Sequence, residues 1–366
     1  MEKVKFTDIF EDVTKQGRKI STDGYKREGK YPIIDQGQNE IAGYTNEEYG
    51  LFNNIPAIIF GDHTRIIKFV NKPFFLGADG VKVLKHIIPN VDYKYSYYAL
   101  LNVKIPDTGY NRHFKWLKES EIPLPSLEEQ KAIAERLDKV SGLIEKRKTQ
   151  LEKLDLLVKS RFIEMFGEPE SNPLHWTMLP LENCLTVLGG YAFKSEEFKT
   201  SGIPVLRIGN INTGVFTPTN MVYWAKDSSL ERYQVLPGDL VISLTGTVGK
   251  DDYGNVCILG NAYPLYYLNQ RNAKLVLGES LNKHYLSELL KFSQIKKKLT
   301  GISRGVRQAN ISNRDILNLV VPIPPIELQT QFSAFVEQID KSKFEIQKSL
   351  EKLEILKKSL MQQYFG

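Results

Sequence analysis

The chain repeats itself at a single offset. The stretch IPLPSLEEQ at 122–130 returns as VPIPPIELQ at 321–329, and LEKLDLLVKS at 151–160 returns as LEKLEILKKS at 350–359. Phe166-Gly167 returns as Phe365-Gly366, so all three pairs stand 199 residues apart without a gap. Such a unit is too long for a solenoid repeat of about 20–50 residues. It reads instead as a duplicated globular domain followed by a helix. The 366 residues then divide into a first domain at 1–122, a helix at 123–167, a second domain at 168–321 and a second helix at 322–366.

Both helices carry a heptad seam. In the first, Ile133, Leu137, Val140, Ile144, Leu151, Leu154, Val158 and Met165 follow one stripe, interrupted at Arg147 and Arg161. In the second, the stripe is Phe332, Val336, Ile339, Ile346, Leu350, Leu353, Leu360 and Tyr364, interrupted at Lys343 and Lys357. Alternating spacings of 4 and 3 are those of a coiled coil. Pro123 and Pro125 precede the first helix, Ser126 and Glu129 have the spacing of a capping box, and each helix stops at a glycine. In the second copy Leu328 stands where the first has Glu129. A helix of about 40 residues is roughly 60 Å long and needs a partner with a matching seam. The other copy supplies one. The expected pairing is an antiparallel coiled coil, with pseudo-two-fold symmetry and a nearly circular chain path. Heptads alone leave pairing between separate chains open.

The globular segments share an order of short β-type runs followed by a helical run. In the first domain the runs are 31–35, 55–60, 65–70, 74–76 and 81–88, with helix at 93–103. In the second they are 203–208, 239–245, 256–259, 265–268 and 273–277, with helix at 281–299. FFLGADGVKVL at 74–84 matches YYLNQRNAKLV at 266–276, and Thr-Gly-x-x-Arg recurs at 108–112 and 300–304. Beyond those anchors the copies diverge. The fold class is therefore α+β: two similar domains separated by two long helices.

Composition removes several classes of function. No apolar run reaches about 18 residues, so no transmembrane helix is expected, and the start MEKVKFTDIFED lacks the core of a secretory signal. Two cysteines, Cys184 and Cys257, exclude a disulfide framework and suit a reduced, cytoplasmic protein. Five scattered histidines show no metal-ligand spacing, so no metal or cofactor site is expected. LTGTVGKDD at 244–252 lacks the Gly-x-x-x-x-Gly-Lys-Ser/Thr spacing of a phosphate loop. Asn71-Lys72-Pro73-Phe74 falls one residue short of the Asn-Pro-Pro-Phe/Tyr motif of amino-methyltransferases. No catalytic residue is assigned.

What remains is a set of polar loops suited to double-stranded DNA. Arginine pairs with guanine, and asparagine or glutamine with adenine, through two hydrogen bonds each in the major groove. The candidates in the first domain are Gln36, Gln38, His63, Arg65, Asn111, Arg112, His113 and Lys115. In the second they are Arg207, Asn210, Asn212, Thr245, Thr247, Lys250, Gln270, Arg271, Arg304, Arg307, Gln308 and Asn310. The net charge of +6 falls mostly in the globular segments and leaves the helices near neutral.

The repeated Ile-Pro-Leu-Pro-x-Leu-x-Glu-Gln pattern at 122–130 and 321–329, with its second repeat Leu-Glu-Lys-Leu, resembles the specificity (S) subunits of type I restriction–modification systems. The resemblance covers essentially the whole chain. It implies two target-recognition domains, each reading one half of a bipartite DNA target, and spacer helices that set the gap. It also implies docking of two methyltransferase (M) subunits, which use S-adenosylmethionine to methylate adenine at N6. Motor–nuclease (R) subunits, which use ATP and Mg, join for restriction. On this reading the chain itself is not an enzyme. The other class compatible with the residues is a tandem-domain adaptor holding two ligands at a set distance; a neighbouring methyltransferase reading frame distinguishes the two.

Overall fold

The computed structural model describes every residue except 1, 2, 78, 110, 251 and 302–307. The chain forms two compact units, residues 1–149 with 347–366, and residues 150–346.

The first unit runs β1 (Lys3–Lys5), α1 (Phe6–Ile9), β2 (Phe10–Asp12), β3 (Tyr31–Ile34), β4 (Gly43–Thr45), β5 (Ala57–Gly61), β6 (Ile67–Val70), β7 (Phe75–Leu76), β8 (Val81–His86), α2 (Tyr93–Leu101), α3 (Phe114–Lys118) and β9 (Glu121–Pro123), then enters α4 (Leu127–Phe166). Its main sheet is antiparallel in the order β2-β8-β5-β6, beside a smaller sheet β4-β3-β7 in which β3 and β7 are parallel. The central strand β5 is buried along its whole length, and its side chains alternate between two cores. Ile58 and Phe60 face Tyr95, Tyr98 and Ala99 of α2, whereas Ala57 and Ile59 face Ile34, Phe74 and Leu76.

The second unit repeats this frame. It contains β10 (Thr177–Pro180), β11 (Leu185–Gly189), β12 (Ile203–Leu206), β13 (Val222–Trp224), β14 (Gln234–Val235), β15 (Leu240–Ser243), β16 (Thr245–Thr247), β17 (Val256–Ile258), β18 (Tyr266–Leu268), β19 (Asn272–Leu277), α5 (Lys283–Lys291), α6 (Ser293–Thr300), β20 (Gln308–Asn310), α7 (Asn313–Leu317) and β21 (Val320–Ile323), followed by α8 (Ile326–Phe365). The sheet β11-β19-β15-β17 corresponds to β2-β8-β5-β6, and β13-β12-β18 to β4-β3-β7. In β15, Leu240 and Ile242 enter one core and Val241 another. The class is α+β, as the sequence indicates. Among the described residues the second unit adds β14, the ribbon β16–β20 and α6. The helical run expected at 281–299 is two helices: Phe292 takes an extended conformation and buries its ring 5.0 Å from Phe162.

The repeated proline-to-glutamine motif is a latch between domain and helix. Gln130 is buried; its Nε2 donates to the Pro125 carbonyl (2.8 Å) and its Oε1 accepts from Asp92 N–H (2.9 Å), the N-cap of α2. Gln329 does the same with Pro324 (2.7 Å) and Asn282 (2.8 Å), the N-cap of α5. Tyr95 and Tyr285 donate to the carbonyls of Pro123 and Pro322 at 2.6 and 2.8 Å. Each of these polar groups is buried, so each needs its partner.

In each unit the two long helices run antiparallel. In the first, Arg136 of α4 donates to Tyr364 of α8 (3.0 Å), and Glu145 lies in the field of the half-buried Lys357. In the second, Asp155 pairs with Lys343 (2.6 Å), and Phe162 meets Phe332 (5.5 Å between ring centres). Of the seam residues, Ile133, Leu137, Val140, Ile144, Val158, Phe332, Val336 and Leu350 are buried, and Leu151, Leu154, Ile339, Ile346, Leu353 and Leu360 half-buried.

Candidate nucleic-acid interface

In the first unit, four loops meet at one end of the sheets: 35–40 after β3, 62–65 between β5 and β6, 77–80 after β7, and 107–113 before α3. Gln36 holds three segments together. Its Nε2 donates to the Asp79 carbonyl (2.9 Å), its Oε1 accepts from His63 N–H (3.1 Å), and its own carbonyl accepts from Thr64 Oγ1 (2.7 Å). Gly80 sits at φ +89° with a Cβ position about 2.5 Å from the Gln36 amide, so only glycine leaves room for that side chain. His63 Nδ1 lies 3.2 Å from the Asn111 carbonyl. Gln38, Asn111, Arg112 and Lys115 are exposed, and the Lys115 ammonium stands 4.7 Å from the Trp116 ring.

Two cations here are balanced internally. Arg65 pairs with Asp107 and Lys19 with Asp79, at 2.9 and 2.7 Å. The Lys19 hydrogen bond holds the Asp79 carboxyl below its usual range, helped by the fields of Arg112 and His63. Asp107 is lowered first by the Gly109 N–H and then by Arg65.

The second unit brings together the loops after β12 and β18. Arg207, Gln270 and Arg271 line a cleft of about 650 Å³ with Phe193, Phe198 and Asn269. Arg207 Nη2 donates to the Asn220 carbonyl (2.6 Å), while its Nε is buried without a partner among the described residues. The Asn212 carbonyl accepts from the Asn255 side chain. Thr245 and Thr247 pair with Asn310 and Gln308 across the ribbon β16–β20, and Lys250 is exposed beyond it. Arg304, Arg307 and the Gln308 side chain lie outside the described residues.

Two expectations are corrected. His113 is 1% exposed, with Nδ1 3.1 Å from the Asp62 carbonyl and Nε2 facing Thr108. Asn210 is 3% exposed; its amide donates to the carbonyls of Thr217 and Thr219 and its Oδ1 caps Arg207 N–H. Both brace their loops from inside and present nothing to DNA. Sequence reasoning also passed over Lys291, Lys296 and Lys297, which line a cleft of about 820 Å³ together with Lys250, Tyr253 and Asn255. The lysine run at 296–298 on an amphipathic helix is the signal that could have found them. Lys291 and Lys297 are exposed, whereas Lys296 is buried with its ammonium 2.6 Å from Asn255 Oδ1.

No group of three His, Cys, Asp or Glu among the described residues could hold a metal ion. Cys184 and Cys257 are buried and unbridged, and burial pushes the Cys257 thiol up to about 12. No described helix is long and apolar enough to cross a membrane.

The family model described as type I restriction modification DNA specificity domain matches residues 1–154 and again 173–357. The MjaVIII specificity subunit of a type I restriction enzyme from Methanocaldococcus jannaschii is 27% identical, over 91% of this chain and 85% of that one. The EcoKI specificity subunit from Escherichia coli is 26% identical over 60% of this chain, a match spanning half of that protein. A solved type I restriction–modification S subunit from M. genitalium superposes with a TM-score of 0.64 at 19% identity, covering 100% of this chain and 96% of that one.

Proposed function

Since the chain belongs to the type I restriction modification DNA specificity family, its two domain–helix copies matching that model one after the other, we propose that each globular domain reads one half of a bipartite double-stranded DNA target. The chain is a specificity subunit, a recognition component rather than a catalytic one. The observation that carries the reading is the pairing of a shared frame with divergent polar ends. Two domains latch to their helices through the same buried glutamine and differ in the loops opposite their sheets. Such a design keeps the reading heads in place while letting each read its own bases.

The two 40-residue helices, roughly 60 Å each, act as a ruler for the unread base pairs between the half-sites. They also dock two methyltransferase subunits. What supports this is a duplicated apolar pair that the helices leave in solvent: Leu156 and Leu157 are 61% and 46% exposed, and Ile355 and Leu356, 199 residues on, are 70% and 45% exposed. Exposed pairs at equivalent positions suit two copies of one partner. The methyltransferase subunits bring S-adenosylmethionine, flip the target adenine and methylate N6, in the cytoplasm. Motor subunits using ATP and Mg join for cleavage.

Co-expression with the partner methyltransferase, followed by mapping of N6-methyladenine, tests the reading. A split motif with a fixed gap is the expected result, and loss of methylation with normal folding is expected for the Leu156→Ser, Leu157→Ser, Ile355→Ser, Leu356→Ser variant. A continuous motif from the unaltered chain overturns bipartite reading, and full methylation by the variant overturns the docking site.

A further inference from the structure

The geometry points to the ribbon β16–β20 as the base-reading element of the second domain, with Asn310 and Thr245 as its specificity-determining pair. This deepens the reading above and rests on it.

The two domains reach the ribbon's place by the same path. In the first, the carbonyl of Asp62 accepts a hydrogen bond from His113 N–H (2.7 Å), and the chain then folds straight into the 62–65 turn. In the second, the carbonyl of Leu244 accepts from Ile311 N–H (2.8 Å) at the equivalent point. Here the pairing continues, with Thr245 opposite Asn310, Gly246 opposite Ala309 and Thr247 opposite Gln308. Alternation along a strand gives this ribbon two unlike faces. One is closed: Ala309 is fully buried in the main core of the second unit, and a side chain at Gly246 would collide with Asp252 and Tyr253. The other carries Thr247 and Asn310, both exposed, and Thr245, half-buried beside them.

The open face suits base edges. A two-stranded ribbon fits the major groove, and an asparagine amide pairs with adenine through two hydrogen bonds. Asn310 is exposed, and its amide makes no hydrogen bond among the described residues. Thr245, directly opposite, offers a hydroxyl and a methyl on the same face. Thr247 is committed elsewhere: its side chain hydrogen-bonds to Asp252, beside the backbone N–H that donates to Asp252 Oδ1 (2.8 Å). Packing of the closed face holds the Asn310 backbone in place before DNA arrives, so less ordering is left to lose on binding. Lys250 beyond one strand, and Arg271, whose carbonyl accepts from Leu244 N–H (2.9 Å), stand where phosphates would flank the groove.

The test is methylome mapping with the full chain and its methyltransferase partner, comparing Asn310→Ala, Asn310→Asp and Thr245→Val with the unaltered chain. Asn310→Ala should relax one base pair in one half-site by about 10- to 100-fold in preference, leaving the other half and the gap unchanged. Asn310→Asp keeps the shape without the amide donor and should shift preference at that same pair. Lys250→Ala should weaken binding at every site, leave the motif intact and make the salt dependence shallower. An unaltered motif in both Asn310 variants overturns the ribbon as reader, as does uniform loss of methylation without any change in motif. Absence of a split motif from the unaltered chain instead overturns the function on which the inference rests.

Discussion

In the first domain, the polar end is tied to itself: Gln36 joins three segments, Arg65 is paired with Asp107, and Lys19 with Asp79. In the second, the same end opens into a polar ribbon, with Lys250 and Arg271 outside any ion pair among the described residues. Beneath these ends the main sheets agree strand for strand, and the two glutamine latches share their bonds to the proline carbonyl and to the helix N-cap, Gln329 adding one to the Ser280 carbonyl (3.0 Å). The contrast teaches where the chain tolerates change. Strand order, latch and helix are bound by buried hydrogen bonds and core packing, where one unsatisfied group costs about 1–3 kcal/mol. The loop ends carry fewer such groups, His113 and Asn210 among them, so two copies of one domain can acquire different polar faces.

The comparison extends into the helices, where it makes its largest energetic claim. Phe162 in the second unit sits among Phe166, Tyr285, Phe292 and Phe332, with ring centres 5.0–5.5 Å away. The residue 199 positions later, Met361, is half-buried in the first unit. Phe162→Ala should therefore destabilise the second unit by about 3–5 kcal/mol, as deletion of a buried ring does. Met361→Ala should cost about 1–2 kcal/mol in the first unit, because its side chain is only partly withdrawn from water. Urea unfolding followed by hydrogen exchange resolves the two units; equal losses would break the contrast.

The long helices were legible in the sequence because heptads, prolines and glycines are local signals. Five strands of each domain were legible through duplication, since each weak run was seen twice; the shorter strands, the ribbon β16–β20 among them, were not. The latch was not: Gln130 bonds to Asp92, 38 residues earlier in the chain, and nothing near Gln130 announces it. The break at Phe292 escaped because burial against Phe162 overrides helix propensity. Among site residues, side-chain type said nothing about direction. His113 turns inward to a carbonyl 51 residues away and Asn210 to two carbonyls of its own loop, whereas Asn310 turns outward because Ala309 and Gly246 take the inward positions of its ribbon.

One histidine in each unit, His86 half-buried and His284 buried, gives the next expected effect. Burial, helped by Lys85, lowers His86 to about 4, and its ring stacks on Tyr93 at 3.8 Å. Burial also lowers His284, with Lys283 adding to it, while Asp340 and Glu337 oppose the shift. The unfolded chain takes up a proton at His86 as the pH falls through about 6.5, and the folded unit does so only near 4. The contribution of the neutral ring is thus full above about 6.5 and is lost as the pH falls towards 4, by up to about 3 kcal/mol. Urea midpoints at pH 7 and 4.5 should show the first unit losing more stability than the second, and His86→Gln should flatten that dependence. An unchanged acid limb in the variant would assign the loss to other groups.

The smallest effect separates the starts of the two helices. At the first, Ser126 and Glu129 form a reciprocal capping box: Glu129 Oε2 accepts from Ser126 N–H (3.1 Å) and Oγ (2.8 Å), and Glu129 N–H points back to Ser126 Oγ (3.4 Å). At the second, Pro325 and Leu328 occupy those positions, and among the described residues no side chain forms such a box. Ser126→Ala should cost about 1 kcal/mol, read as a small drop in the urea midpoint of the first unit. Restoring the box with Pro325→Ser and Leu328→Glu should bring no matching gain. Leu328 packs against the core of the second unit, and its burial offsets what the cap would contribute. A net stabilisation of about 1 kcal/mol in that double variant would show instead that the second copy lost its cap without compensation.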